Sequence, residues 1–251
     1  MEAWRDNGIV LFSRPHGESG AVISLMTEHH GRHAGYLHGA SSSKNKIFQE
    51  PGTEASVDWQ ARTSDQLGHF KLEYKKNWAG LLMDERLRLA AMLSACHLTE
   101  RALPERENHP EIYYGLKALF ETLQSDIWGA AYVLWELAFL KELGFAIDLS
   151  RCAGGGDAET LAYVSPKTGR AVSKAAGEIY KEKLLNLPEF LKPNGDKDLA
   201  GTETDVLTGL QLLSYFWENW VFAQHSQGIP DARLRFEAQF AKKNDMNFES
   251  S

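Results

Sequence analysis

A chain of 251 residues, 43% hydrophobic and 24% charged, has the composition of a soluble globular protein and enough length for one large core or two modest ones. Its two cysteines, Cys96 and Cys152, follow no framework spacing, which excludes a disulfide-stapled secreted scaffold and points to a reducing compartment. The net charge of −7 is unevenly spread: residues 1–77 carry nine Lys/Arg, nine Asp/Glu and six of the nine histidines, so any polyanion is expected to meet that part.

The opening MEAWRDNG carries charge where a secretion signal needs an apolar run, so a cytoplasmic protein is expected. Short apolar runs then alternate with turn residues, the pattern of an all-β domain. GIVLFS (8–13), AVISLMT (21–27) and RHAGYLHG (32–39) are predicted strands, separated by the loop RPHGESG and a turn at EHHG. After the polar loop ASSSKNK, TEASVDWQAR places Val57, Trp59 and Ala61 on one face, and HFKLEY does the same with Phe70, Leu72 and Tyr74. Five short strands bury one face most economically by closing into a small barrel.

From residue 84 the period becomes helical. DERLRLAAMLSACHLTERAL predicts a buried stripe of Leu89, Leu93 and Cys96 beside Ala90 and His97, ended by Pro104. A second helix starts near Pro110. The third covers 127–143 and closes on Gly144 as a left-handed cap; its apolar stretch, interrupted by Glu136, is too short to cross a bilayer. The hairpin LAYVSPKTGRAV follows, then NLPEFLKPNGDKDLAG as a loop holding a turn of helix. Thr202 and Asp205 form a capping pair before a helix with Val206, Leu210, Leu213, Trp217 and Trp220 on one stripe. DARLRFEAQF is a short last helix and NDMNFESS a frayed tail. The expected fold class is α+β, with a barrel domain at 1–79, a mostly helical domain at 80–251 and a hairpin module within it at about 150–178.

That module has the frame of a zinc ribbon, in which C-x2-C-x15–20-C-x2-C sets two thiolate pairs on two knuckles. Counted from Cys152, the other corners fall at Gly155, Ser173 and Ala176, none of which offers a zinc ligand. No metal or other cofactor is expected; an ordinary hairpin with a chance cysteine fits the spacing equally well. Ser41-x-x-Lys44 and Lys167-Thr168-Gly169 match two elements of serine acyl-transferring enzymes, but Ser41 lies in a loop instead of opening a helix and no third motif lies between them. Lys167-Thr168-Gly169 is better read as the turn after Ser165-Pro166. His29, His30, His33 and His38 invite a metal reading, yet His33 and His38 point to opposite faces of a strand, so surface or loop roles are expected. Cys96-His97 reads as core packing. With no paired carboxylates and no phosphate loop, neither an enzyme nor a small-molecule substrate is expected.

The basic residues of the barrel remain. Arg14, Arg32, Lys44, Lys46, Arg62, Lys71, Lys75 and Lys76 fall largely in loops or at strand ends, interleaved with Tyr36, Phe48, Trp59, Phe70 and Tyr74. Small barrels hold single strands by tracking phosphates with cations and stacking bases on rings. Alternation puts Trp59, Phe70 and Tyr74 on the core side, and scattered lysines are commonly plain surface, so these residues alone do not decide for nucleic acid.

The order of the pieces resembles the RecO family of recombination mediators. The matching stretches are GIVLFSRPHGESGAVISLMTEHHGRHAGYLHGA, EPGTEASVDWQAR and QLGHFKLE in the barrel, then LTERALPERENHP, WELAFLKELGFAIDLSRCA, LAYVSPKTGRAVS and GIPDARLRF. The resemblance implies an N-terminal OB-fold followed by a helical domain with an embedded zinc-ribbon-like module. It also implies binding of single- and double-stranded DNA, annealing of complementary strands and partnership with RecR. Recognition of the acidic-hydrophobic tail of single-stranded DNA-binding protein, and help in loading RecA onto coated DNA at the nucleoid, are implied too. Some relatives keep four zinc cysteines; this chain departs at Gly155, Ser173 and Ala176. The expectation is a non-enzymatic DNA-repair mediator that contacts phosphates through the eight barrel cations. The alternative is a protein-interaction adaptor whose DNA contact belongs to its RecR complex.

Overall fold

Five strands close into a barrel in the computed structural model: β1 (Glu2–His16), β2 (Gly20–Thr27), β3 (Arg32–Leu37), β4 (Thr53–Ala61) and β5 (His69–Asn77), in the order β1-β2-β3-β5-β4 with β4 returning to β1. The described residues are 1–155, 160–193, 195, 202–223 and 228–249, with side chains to 245. Closure depends on the length of β1. Its first half, Glu2 to Ile9, pairs with β4, and its second, Gly8 to His16, pairs with β2. The predicted strand at 8–13 covers only the shared middle, because EAWRDN turns mostly polar side chains outward and leaves no apolar alternation to read. β3 and β5 complete the ring through two parallel pairs, Tyr36 with His69 and Leu37 with Phe70.

The barrel core holds Val10, Ile23, Leu25, Leu37, Val57, Trp59, Phe70 and Leu72, with Phe48 entering from a 3-10 turn, Lys46–Gln49. Tyr74 departs from its expected core position. It stands opposite Ala55 beside a bulge between Glu54 and Ala55, where the strand turns away, and is 57% exposed. His33 departs in the other direction. It is buried among Trp4, Trp59 and Phe70, with ring centroids 5.0, 4.9 and 6.2 Å away, and neither ring nitrogen has a partner.

By its contacts the chain forms two units, 1–120 with 230–233 and 121–229 with 234–251. The first unit therefore reaches past the expected 79/80 junction and takes in α1 (Trp78–Leu81), α2 (Arg86–Ala102) and α3 (Pro110–Thr122) as far as Phe120. Helix α2 packs on β1 and β2. Its buried side is Ala91, Met92, Ala95, Cys96, Leu98 and Thr99; Leu89, Leu93 and His97 are only half-buried. Small residues let the helix approach the strands, and the larger leucines predicted for the stripe lie at its flank. Cys96 is fully enclosed, and burial pushes its thiol up to about 12.

In the second unit α4 (Trp128–Glu142) ends as predicted, with Gly144 at φ +86° and the Phe145 N–H donating back to Leu140 O. Helix α6 (Glu203–Phe216) begins on Thr202, whose hydroxyl oxygen accepts from the Asp205 N–H at 3.2 Å. It runs on into a π-helical turn, Trp217–Val221, which rotates Trp220 to a half-buried position while Trp217 stays enclosed and donates its indole N–H to Glu136. The tail expected to fray beyond residue 244 is helical to Glu249, because α7 (Asp231–Glu249) meets no Gly or Pro there; Asn244 is buried, and residues 250 and 251 lie outside the described residues.

The hairpin module is a three-stranded sheet of β6 (Leu161–Val164), β7 (Ala171–Ser173) and β8 (Leu185–Asn186), with the short α5 (Lys174–Gly177) after β7. The predicted turn holds Gly169 at φ +65°, its N–H donating to Ser165 O. Cys152, Ser173 and Ala176 meet at one corner of this module. The Ser173 N–H donates to Cys152 Sγ at 3.1 Å, and Ser173 Oγ accepts from the Ala176 N–H to start α5.

Candidate nucleic-acid interface

One end of the barrel gathers strand termini and loops into a groove of about 790 Å³. β1 brings His16, β3 brings Tyr36 and, just beyond it, His38, β5 starts on His69, and the β4–β5 loop supplies Arg62, Gln66 and Leu67. The short β3–β5 contact causes this assembly, since it sets residues 36–38 beside residue 69. Glycine shapes the floor. A β-carbon at Gly20 would stand 1.9 Å from the Tyr36 hydroxyl oxygen, so only glycine lets that ring lie across β2. The rings then form a chain: Tyr36 meets His38 edge-on at 4.6 Å, and His38 stacks on His69 at 4.8 Å with Nε2 and Nδ1 3.1 Å apart.

Neighbouring grooves extend this one. A trough of about 650 Å³ on the outer side of β1, β4 and β5 shares Gln60 and His69 with it and adds Arg5 and Lys71. A smaller one of about 300 Å³ continues past Arg5, Asp58 and Lys71. On the opposite side, a groove of about 420 Å³ shares Leu67 and contains Arg14.

The eight expected cations divide across this surface. Arg62 lines the main groove and Arg14 its neighbour. Lys44 and Lys46 are exposed on the loop beside it, which Asn45 ties down by donating to His38 O at 3.0 Å. Lys71 lies farther along the trough, 3.9 Å from Glu73. Lys75 donates to Asn7 Oδ1, and Lys76 sits over the Trp78 ring at 3.3 Å, so both face away from the groove. Arg32 is a correction to the expected set. Its side chain is only 13% exposed, donates to Leu103 O at 2.8 Å and pairs with Glu100 and Glu105, fastening β3 to the segment after α2. Burial raises the Glu100 carboxyl above its ordinary range, and the Arg32 charge opposes that rise.

Arg5, His16, His38 and His69 were missed by sequence reasoning as groove residues. Arg5 lies on the unread half of β1, and no spacing rule joins residue 38 to residue 69. Acidic residues mark the margins: Asp58 pairs with Arg5, and Asp65, Glu100 and Glu105 line the Arg14 groove. The central groove has no carboxylate among its described lining residues.

Among the described residues, one cluster could supply three metal ligands, Asp6, Glu28 and His29. Its carboxylate oxygens are engaged within the protein. Asp6 accepts from the His29 and His30 rings and from the backbone N–H groups of Asn7 and His29, and Glu28 accepts from Asn7 and Tyr114. Burial pushes the Asp6 carboxyl up, but these hydrogen bonds outweigh it and hold the group below its ordinary value; the same contact raises His29. The cluster is a clamp on the β2–β3 turn.

Comparison with known proteins accounts for almost the whole chain. The family model described as Recombination protein O N terminal matches residues 1–75, and that described as Recombination protein O C terminal matches residues 83–227. The protein named DNA repair protein RecO in Rhodospirillum centenum is 45% identical over 241 residues, 95% of each chain. Its namesake in Caulobacter vibrioides is 43% identical over 232 residues, 92% of this chain and 94% of the relative, and that in Ruegeria is 41% identical over 242 residues, 96% and 99%. The two models part between residues 75 and 83, whereas spatial contacts carry α2 and α3 over to the barrel. Both halves and the order of the pieces agree, and the chain belongs to the RecO family.

Proposed function

We propose that the chain is a non-enzymatic recombination mediator in DNA repair, and that its barrel is an OB-fold that holds single-stranded DNA in the groove at His16, Tyr36, His38, Arg62 and His69. One observation carries the reading: Arg62 converges there with the Tyr36 and histidine rings, no carboxylate lines the groove among the described residues, and Lys44 and Lys46 flank it. The strand order β1-β2-β3-β5-β4 supports the OB assignment. Tyr36 and the imidazoles offer faces for bases, and the flanking cations offer contacts to phosphates of single or double strands. Annealing follows from such a surface, since cations that neutralise two strands at once leave the register search as the main barrier.

The family likeness, and the curated relatives named DNA repair proteins, support a partnership with RecR, recognition of the tail of single-stranded DNA-binding protein and assistance in loading RecA at the nucleoid. No helix among the described residues is long and apolar enough to cross a membrane. The adaptor reading draws on the paired charges at the margins, Arg5 with Asp58 and Lys71 with Glu73, and on the net charge of −7. Fluorescence anisotropy of the isolated chain with a labelled oligothymidylate separates the two. A mediator of this kind binds at low salt, with log affinity falling linearly in log salt by about 0.7 per phosphate touched. Binding that appears only after RecR is added would replace it with the adaptor.

A further inference from the structure

We propose that the His38–His69 pair is a phosphate site whose occupation takes up protons, so that the barrel's grip on DNA tightens as pH falls. The proposal rests on the DNA-binding reading above. The two rings come from opposite sides of the thinnest seam in the barrel, the end of β3 and the start of β5. Their facing nitrogens are 3.1 Å apart, so one must donate and the other accept. While that contact stands the pair carries at most one extra proton. A second proton makes both facing nitrogens donors, and the contact opens.

The protein offers the opened pair no anion. The groups facing it are Met1 with the amino terminus, His16 from β1, the Tyr36 ring from β3 and Arg62 from the β4–β5 loop, and no carboxylate lines the groove among the described residues. The His38 carbonyl is taken by Asn45. A set of donors without an anion of its own suits an anion from outside. A phosphodiester presents two free oxygens, which can accept from two imidazolium rings while Arg62 and the neighbouring Lys44 and Lys46 balance the charge of adjacent phosphates.

Imidazole is the side chain that changes charge between pH 5 and 8, and a bound anion favours its charged form. Phosphate binding and proton binding at the pair therefore favour each other, so affinity rises as pH falls. Each proton taken up changes affinity by at most about tenfold per pH unit.

The test measures binding of a labelled oligothymidylate to the full chain at constant ionic strength between pH 8 and pH 6. The expected gain on acidification is about fivefold or more, and it shrinks to less than about twofold in the double variant His38→Gln, His69→Gln. Calorimetry of the unaltered chain in two buffers of different ionisation enthalpy should give different apparent heats, reporting proton uptake without any mutation. An abasic oligonucleotide should keep the pH dependence. An undiminished pH response in the double variant would place the protons elsewhere, and a response lost with abasic DNA would make the ligand a base instead of a phosphate. Binding with no pH response overturns this inference and leaves the DNA reading intact; no binding at any pH in low salt overturns both.

Discussion

His33 allows a calculation. The ring is enclosed by Trp4, Trp59 and Phe70, and its two nitrogens have no partner. Burial, with lesser contributions from the charges of Arg106 and His30, lowers its pKa from the ordinary 6.5 to about 4. The folded state thus prefers the neutral ring, while the unfolded chain takes a proton below pH 6.5. The contribution of this residue is full above that pH and shrinks as pH falls, levelling off below the folded value. At about 1.4 kcal/mol per pKa unit the whole effect is about 3 kcal/mol, of which about 1.4 is lost by pH 5.5 and about 2.5 by pH 4.5. Glu100 and the exposed His29, both raised in the folded chain, act with the opposite sign, so a difference measurement is needed. Urea unfolding of the chain and of His33→Leu, compared at pH 7.5, 5.5 and 4.5, isolates the term. The variant should be the more stable protein at pH 4.5 by about 2 kcal/mol relative to its standing at pH 7.5. If the two midpoints shift in parallel, His33 is not held neutral by the cage and the reasoning fails.

Arg32→Met should destabilise the fold by about 2 kcal/mol in urea unfolding, because it leaves the Leu103 carbonyl without its Arg32 donor and the part-buried Glu100 with Ser24 alone; its effect on DNA affinity should stay within about twofold. A marked drop in affinity from a fully folded variant would return Arg32 to the binding surface. Gly20→Ala pushes the Tyr36 ring off β2 and should weaken DNA binding while the circular dichroism spectrum stays unchanged. Unaltered affinity would remove Tyr36 from the site. Reversing Lys44 and Lys46 to Glu should weaken binding and reduce the salt slope for single-stranded DNA by about 1.4, two contacts at about 0.7 each. An unchanged slope would move the phosphate track to another face.

The barrel was legible wherever one face of a strand meets the core. β4 and the first half of β5 alternate, β2 is an apolar run buried along its whole length, and Val57, Trp59, Phe70 and Leu72 are buried as expected. The first half of β1 was not legible, because a strand whose side chains are mostly polar lacks the periodicity on which such readings depend. Tyr74 and Trp220 left their expected faces for one reason, an extra residue in the backbone repeat, a bulge in one case and a π turn in the other. In α2 the buried face, Ala91, Met92, Ala95, Cys96 and Leu98, is rotated from the stripe that the spacing of Leu89 and Leu93 suggested. Of the proposed interface, the sequence pointed to the cations Arg14, Lys44, Lys46 and Arg62. The histidine pair was out of reach, since its partners are 31 residues apart and meet only where β3 and β5 touch.

The corner where Ser173 donates to Cys152 has a chemical consequence for a protein of DNA repair. A four-thiolate knuckle is vulnerable to the peroxides that damage DNA, because each oxidised sulfur weakens its hold on the ion and the fold follows. Here Gly155, Ser173 and Ala176 give an oxidant nothing to attack, and the one sulfur of the module, on Cys152, is buried, 7% exposed. Such a module should stay intact under the stress that creates its work.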